Sequence, residues 1–222
     1  MVRHEVITPS AELDQLVVEL LGHWRRILGG NLAGAYLQGS FALGAGDRQS
    51  DCDWLVATHG PLTEPQIAQL RDLHEEIPTR AEHWCHDLEG SYAPIAELAS
   101  ADHLGQKWLF NNPGDRTLMM WDDHCNRVYT RWILREHGIC LSGPAPQSFM
   151  PQVPAKLMRC EAAASLPTLL DDLATWLDID AIAWGQRYAV VTACRILYTL
   201  HTAEVASKPG ALEWALRTSE PC

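Results

Sequence analysis

The sequence predicts an α+β fold, a mixed sheet flanked by helices and followed by an all-helical C-terminal region. Three observations predict it. The first hundred residues, after an opening helix, run strand, turn, strand, helix, strand, a mixed order that calls for helices packed on a sheet. The character changes after Pro94. Beyond Pro154 the apolar residues keep helical spacing and no segment competes as a strand.

The opening helix spans 11–28, where Leu13, Leu16, Val17, Leu20, Leu21, Trp24, Ile27 and Leu28 recur in three- and four-residue steps along one face. Ser10 can cap it and Gly29-Gly30 can end it. Residues 33–38 suit a short buried strand that runs into Gly39-Ser40, and 51–57 suit a second strand after a Gly/Asp/Arg-rich connection. Thr63-Glu64-Pro65 opens a helix through 76, and 79–88 supplies a third strand despite its polar residues. Residues 102–126 read as irregular, punctuated by Trp108, Pro113 and Trp121. Residues 129–143 read as a short helix that ends in the bend Gly143-Pro144-Ala145-Pro146. Helices then follow over 155–177, 181–202 and 208–217, so a boundary is expected within 145–155.

Composition narrows the function classes. Of 222 residues, 47% are apolar and 20% charged, which excludes disorder and fibrous architectures. Asp and Glu number 28 against 17 Lys and Arg, a net charge of −11. No nucleic-acid partner is expected, because gripping a phosphate backbone calls for a basic stripe. An acidic chain suits a cationic small molecule or a divalent metal. Seven cysteines, odd in number and without a C-x-x-C pair, speak against a disulfide framework and favour reduced thiols. Cys140, Cys160 and Cys194 are expected to be buried. The N-terminus lacks a signal-peptide core and no run approaches 18 apolar residues, so a soluble, cytoplasmic protein without membrane association is expected.

The chemistry concentrates in residues 37–56. If Asp51 and Asp53 lie on a strand, its period of two directs both carboxylates to one face and Cys52 to the other. Two such carboxylates repel unless a cation sits between them, and Mg²⁺ favours hard oxygen ligands while leaving room for substrate phosphates. Upstream, Gly39 permits close approach of backbone to ligand, and the following N–H groups and the Ser40 hydroxyl can donate to phosphate oxygens. A phosphate cradle beside a metal is the combined expectation. A third acid is available in His86-Asp87-Leu88-Glu89, where the strand period does not separate Asp87 from Glu89. His83, Cys85 and His86 offer zinc-type ligands. On a strand His83 and Cys85 share a face and His86 points away, so zinc is not expected.

A strand, Gly39-Ser40, then Ser50-Asp51-Cys52-Asp53 leading into Trp54-Leu55-Val56, closely resembles the signature of the polymerase-β-like nucleotidyltransferase superfamily. The streptomycin/spectinomycin adenylyltransferase branch has a Leu-Glu followed by a strand where Leu88-Glu89 stands, which favours Glu89 as third metal ligand and as general base. Residues 188–200 and 205–216 also resemble that branch's helical domain, in which the residues matched by Arg195 and Lys208 reach the triphosphate. The resemblance thus implies a catalytic domain over 1–148 and a helical domain over 149–222. Asp51, Asp53 and Glu89 would be catalytic and hold Mg²⁺. Gly39, Ser40, Ser50, Arg195 and Lys208 would bind ATP, the co-substrate. The implied reaction moves AMP from ATP to a hydroxyl of a small acceptor, an aminoglycoside-type antibiotic, and releases pyrophosphate.

Two departures accompany the resemblance. The family's acidic residues that hold the aminoglycoside precede the Arg-bearing helix, and here Asp178 and Asp180 stand in a shifted register. The family also continues with further helices where this chain stops at Thr218-Ser219-Glu220-Pro221-Cys222, so a shortened C-terminal domain is expected. Two other functions remain open at this point: nucleotidyl transfer to a protein or RNA, as in toxin–antitoxin relatives, and non-catalytic nucleotide binding.

Overall fold

The computed structural model describes residues 7–113, 119–177 and 182–218. It divides into two compact units, Met1–Gln152 and Val153–Cys222.

The first unit opens with α1 (Ala11–Leu28), whose Ser10 cap accepts from Leu13 N and whose last turn is closed by Gly29 at a φ of +53°. Strand β1 (Leu32–Leu37) follows, then the single turn α2 (Gly39–Ala42), strand β2 (Cys52–Thr58) and helix α3 (Glu64–Glu76). Thr63 and Gln66 form a reciprocal capping box at the start of α3. This helix returns the chain to the start of β3 (Leu88–Pro94), as the parallel pairing of β2 and β3 requires. Helix α4 (Ile95–Leu98), strands β4 (Trp108–Asn111) and β5 (Met119–Asp122), helix α5 (Val128–His137) and strand β6 (Ile139–Ser142) complete the unit. The six-stranded sheet has the order β5-β4-β3-β2-β1-β6, and every neighbouring pair except β2 and β3 is antiparallel.

Alternation along the strands divides the core in two. On one face Cys52, Trp54, Val56, Tyr92 and Leu109 pack against Leu13, Val17, Leu20 and Trp24 of α1 and Leu70 and Leu73 of α3. Within it Trp24 Nε1 donates to Tyr92 OH at 2.8 Å, and the same hydroxyl meets His74 Nε2 at 2.8 Å. The His74 ring stacks on Trp54, with centroids 5.3 Å apart. Burial drives the His74 pKa down to about 3, so a neutral imidazole completes this network. On the other face Tyr36, Leu55, Ala57, Ala93, Trp108 and Phe110 pack with Leu98, Cys125, Leu134 and Met150.

The second unit contains α6 (Ala155–Leu177), α7 (Ile182–Thr202) and α8 (Lys208–Thr218). Among the described residues no helix is long and apolar enough to cross a membrane.

Several local expectations are corrected. Residues 79–88 do not form a strand: 3₁₀ turns occupy Ile77–Thr79 and His83–His86, and the strand begins at Leu88. Trp84 and Cys85 are buried within the second of these turns, and His83 Nδ1 meets Asp87 at 3.7 Å across one helical turn. The interval read as irregular holds β4 and β5, and the helix over 129–143 gives way to β6, which pairs with β1. Cys140 on β6 and Cys160 on α6 are exposed and Cys194 is half-buried, because they stand on outward faces of their elements; the buried thiols are Cys52, Cys85 and Cys125.

Candidate active site

The site grows from the start of the parallel strand pair. In register, Asp53 of β2 lies beside Glu89 of β3, so their side chains share the sheet face that carries Leu55 and Ala93 further along. Asp51 precedes β2 and is exposed, one residue outside the strand expected to carry it, yet its charge reaches Asp53. Asp87 precedes β3 and is turned to His83, so Glu89 is the acid that meets Asp53.

Gly39 begins α2 at a φ of +62°, and a Cβ there would collide with the Asp53 carboxylate. Glycine at this position thus admits the carboxylate against the turn after β1. The Ser40 backbone N–H donates to Asp53, and Gln38 N donates to Asp53 O at 2.9 Å, so the end of β1 is tied to β2 at the acid itself. Ser40 Oγ is buried without a hydrogen-bond partner. Ser50 closes a turn, its hydroxyl donating to Asp47 Oδ1 at 3.1 Å while its backbone N donates to Asp47 O.

Electrostatics mark Asp53 as the strained member. Burial first, then the adjacent Glu89 and Asp51 charges, push its carboxyl up to about 7, against the opposing influence of His124 and the Ser40 N–H. A carboxylate held beside like charges in a half-buried corner is what a cation would relieve. Among the described residues no group of three or more His, Cys, Asp or Glu is gathered so as to hold a metal ion. Glu89 Oε1 meets His124 Nε2 at 2.7 Å. Mg²⁺ needs only one or two protein carboxylates when substrate phosphates and water complete its shell, so Asp53 with Asp51 remains a suitable donor set.

Sequence reasoning did not single out His124. It sits at the start of a 3₁₀ turn, His124–Asn126, directly after β5. Its ring packs on Phe110 at 5.2 Å and its backbone N donates to Asp122 Oδ1 at 2.8 Å. The hydrogen bond to Glu89 raises its pKa, as do the Glu89 and Asp53 charges, and desolvation opposes them. No local motif surrounds it; only the pairing of β3, β4 and β5 brings it to the acids.

The two expected cations lie in the second unit. Arg195 on α7 donates from Nε to Ala206 O at 3.2 Å, which ties that helix to the loop before α8. Lys208 is the exposed first residue of α8, two positions after that carbonyl. Ser207 caps α8 by accepting from Gly210 N at 3.2 Å. Asp178 and Asp180 lie outside the described residues.

Comparison with known proteins adds independent observations. The profile of the aminoglycoside adenylyltransferase C-terminal domain matches residues 150–219. An aminoglycoside (3'') (9) adenylyltransferase of Rhizobium radiobacter is 28% identical over 97% of this chain and 81% of its own length. A spectinomycin 9-adenylyltransferase of Campylobacter jejuni is 22% identical over 92% of this chain and 79% of its own. The crystal structure of spectinomycin adenyltransferase AAD(9) from Enterococcus faecialis, with ATP and spectinomycin, superposes with a TM-score of 0.66 at 19% identity, over 93% of this chain and 83% of that one. The likeness runs through both units, and with the acidic corner of the sheet it supports a nucleotidyltransferase similar to the aminoglycoside adenylyltransferases, whose C-terminal domain profile covers residues 150–219.

Proposed function

We propose that the chain transfers AMP from ATP, with Mg²⁺, to a hydroxyl of a small cationic acceptor of the aminoglycoside class, and releases pyrophosphate. The observation that carries this reading is the lateral pairing of Asp53 and Glu89 beside the Gly39 turn. Residues 1–148 supply the carboxylates and residues 149–222 the cations Arg195 and Lys208. Asp53 and Asp51 hold the metal, which when bound would neutralise charge on the phosphates. Gly39 and Ser40 line the triphosphate: the backbone is open at the glycine, and the unpartnered Ser40 hydroxyl is free to rotate toward an oxygen acceptor. Ser50 shapes the loop that leads into Asp51.

Glu89 is the general base. It accepts the proton of the acceptor hydroxyl as that oxygen bonds to the α-phosphorus. The bond from the α-phosphorus to the bridging oxygen breaks, and its electron pair leaves on pyrophosphate. Arg195 and Lys208 offset the charge on the phosphates, since phosphoryl chemistry depends on such electrostatic support. Asp178 and Asp180, with the chain's net charge of −11, favour a cationic acceptor.

The purified chain, ATP, Mg²⁺ and either spectinomycin or streptomycin test the reading. Acceptor-dependent pyrophosphate release and an adduct heavier by one AMP are expected. Release with a different hydroxyl compound alone would overturn the antibiotic assignment, and absence of release with every acceptor would overturn the transferase chemistry.

A further inference from the structure

The 3₁₀ turn after β5 aims an imidazole at the proposed base, and nothing in the reaction as described above uses it. The contact is short and one-sided: His124 Nε2 lies 2.7 Å from Glu89 Oε1, which leaves Oε2 available to a substrate hydroxyl. The Glu89 side chain keeps 15% of its surface, while His124 keeps 57%, so the acid is largely covered and the imidazole that meets it faces solvent. Glutamate has one more rotatable bond than aspartate, so a fixed hydrogen-bond partner narrows the rotamers open to its carboxylate.

The turn that carries His124 is rigidly supported. His124 N donates to Asp122 Oδ1 at 2.8 Å, and the ring packs on Phe110. Two residues on, buried Asn126 donates from Nδ2 to His103 O and Gln106 O, both at 2.8 Å, and accepts from Arg131 Nε at 2.7 Å. Arg131 in turn donates to the carbonyls of Glu97, Leu98 and Ser100, so the turn is bound to α4, α5 and the loop before β4. Support of this depth around a single polar contact is the arrangement expected where a functional carboxylate must be oriented.

We infer that His124 is a positioning residue, which donates from Nε2 to Glu89 Oε1 and so holds Oε2 toward the acceptor hydroxyl. The inference rests on Glu89 being the general base. His124 itself neither binds phosphate nor receives the hydroxyl proton; it fixes the rotamer of the group that does.

The test compares His124→Ala, His124→Gln and Glu89→Gln in the full chain with ATP, Mg²⁺ and spectinomycin. General-base catalysis supplies about a hundredfold or more, so freeing the base should lower kcat about tenfold to a hundredfold in His124→Ala, with the KM for ATP unchanged within about twofold. Glutamine places an amide N–H at similar reach, so His124→Gln should recover kcat to within about threefold of the parent. An activity-independent readout accompanies these: the His124 imidazole N–H resonance in ¹⁵N NMR should move on Glu89→Gln in the protein without nucleotide. Wild-type kcat in His124→Ala, equal loss in the Ala and Gln variants, or a His124 resonance indifferent to Glu89→Gln would each overturn the inference. Full transfer by Glu89→Gln would instead overturn the base assignment, which separates the two failures.

Discussion

Asp53→Asn should abolish transfer and yet stabilise the protein at neutral and alkaline pH. The amide keeps the shape of the carboxylate, can still accept from the Ser40 N–H, and meets the same open space at Gly39. What it removes is a charge crowded by Glu89 and Asp51. The Asp53 carboxyl titrates at about 7 in the fold against 3.8 unfolded. Between those values the native state keeps a proton that the unfolded state has lost. Stability contributed by the neutral acid is therefore present below 3.8 and is lost as pH rises through 7. The interval covers about three pH units at about 1.4 kcal/mol each, a ceiling of about 4 kcal/mol. Asp53 is only half-buried, and solvent screening reduces the expected gain of the Asn variant to about 2 kcal/mol at pH 8. At pH 4 the gain should shrink to within about 0.5 kcal/mol. Urea unfolding in EDTA, followed by the fluorescence of buried Trp24, Trp54 and Trp84, measures both values. Millimolar Mg²⁺ should narrow the difference by stabilising the parent alone. An Asn variant less stable than the parent at pH 8, or a difference that does not change with pH, would refute the reasoning that like-charge crowding governs this carboxylate.

Gly39→Ala should lose both stability and activity, because its Cβ meets the Asp53 carboxylate at a backbone φ of +62°. A left-handed residue alone costs about 1–2 kcal/mol, so a Tm well below the parent's is expected by circular dichroism. Cys140 and Cys160 should alkylate with iodoacetamide in the native protein, while Cys52 and Cys125, both buried, should react only after denaturation; peptide mass spectrometry reads all four.

What the sequence made legible is what local pattern encodes. The apolar steps of α1 and its Ser10 cap, the Gly39-Ser40 turn at the end of β1, the Thr63 cap of α3 and the long helices 155–177, 181–202 and 208–217 all follow from residues within one or two turns of each other. Strands β4, β5 and β6 are four residues each and owe their existence to distant partners. Ile139 of β6 pairs with Leu37 across about a hundred residues, a contact that no window on the sequence contains. The same limit explains the site. Asp53 and Glu89 were visible because a strand period and a resemblance fall on them. His124 was invisible because its role depends on register across three strands. The stretch 79–88 misled for the opposite reason, since His83, Cys85 and Asp87 imitate strand alternation while a helical spacing pairs His83 with Asp87.

Asp53 also conceals a second titration in the same fold. His74 is 5% exposed, and burial holds its pKa at about 3 against 6.5 when unfolded. Between those values the unfolded state binds the proton that the native state refuses, so the stability His74 leaves intact above 6.5 is lost as pH falls toward 3. That loss reaches about 2 kcal/mol at pH 5. Asp53 acts with the opposite sign over most of the same window, so in the parent the two contributions offset each other between pH 3.8 and 6.5. Asp53→Asn should uncover the histidine: its stability should fall by about 2 kcal/mol more than the parent's between pH 7 and pH 5 if the offset is complete, and by about half that with the screening assigned to Asp53 above. Acid loss from other groups, such as the Glu19 carboxylate lowered by Arg80, is common to both chains and cancels in the comparison. Adding His74→Phe to the Asn variant should flatten the remaining slope even as it lowers stability at every pH, since Tyr92 OH then loses a hydrogen-bond partner. A slope that survives the loss of His74 would show that the buried imidazole is not the group being protonated.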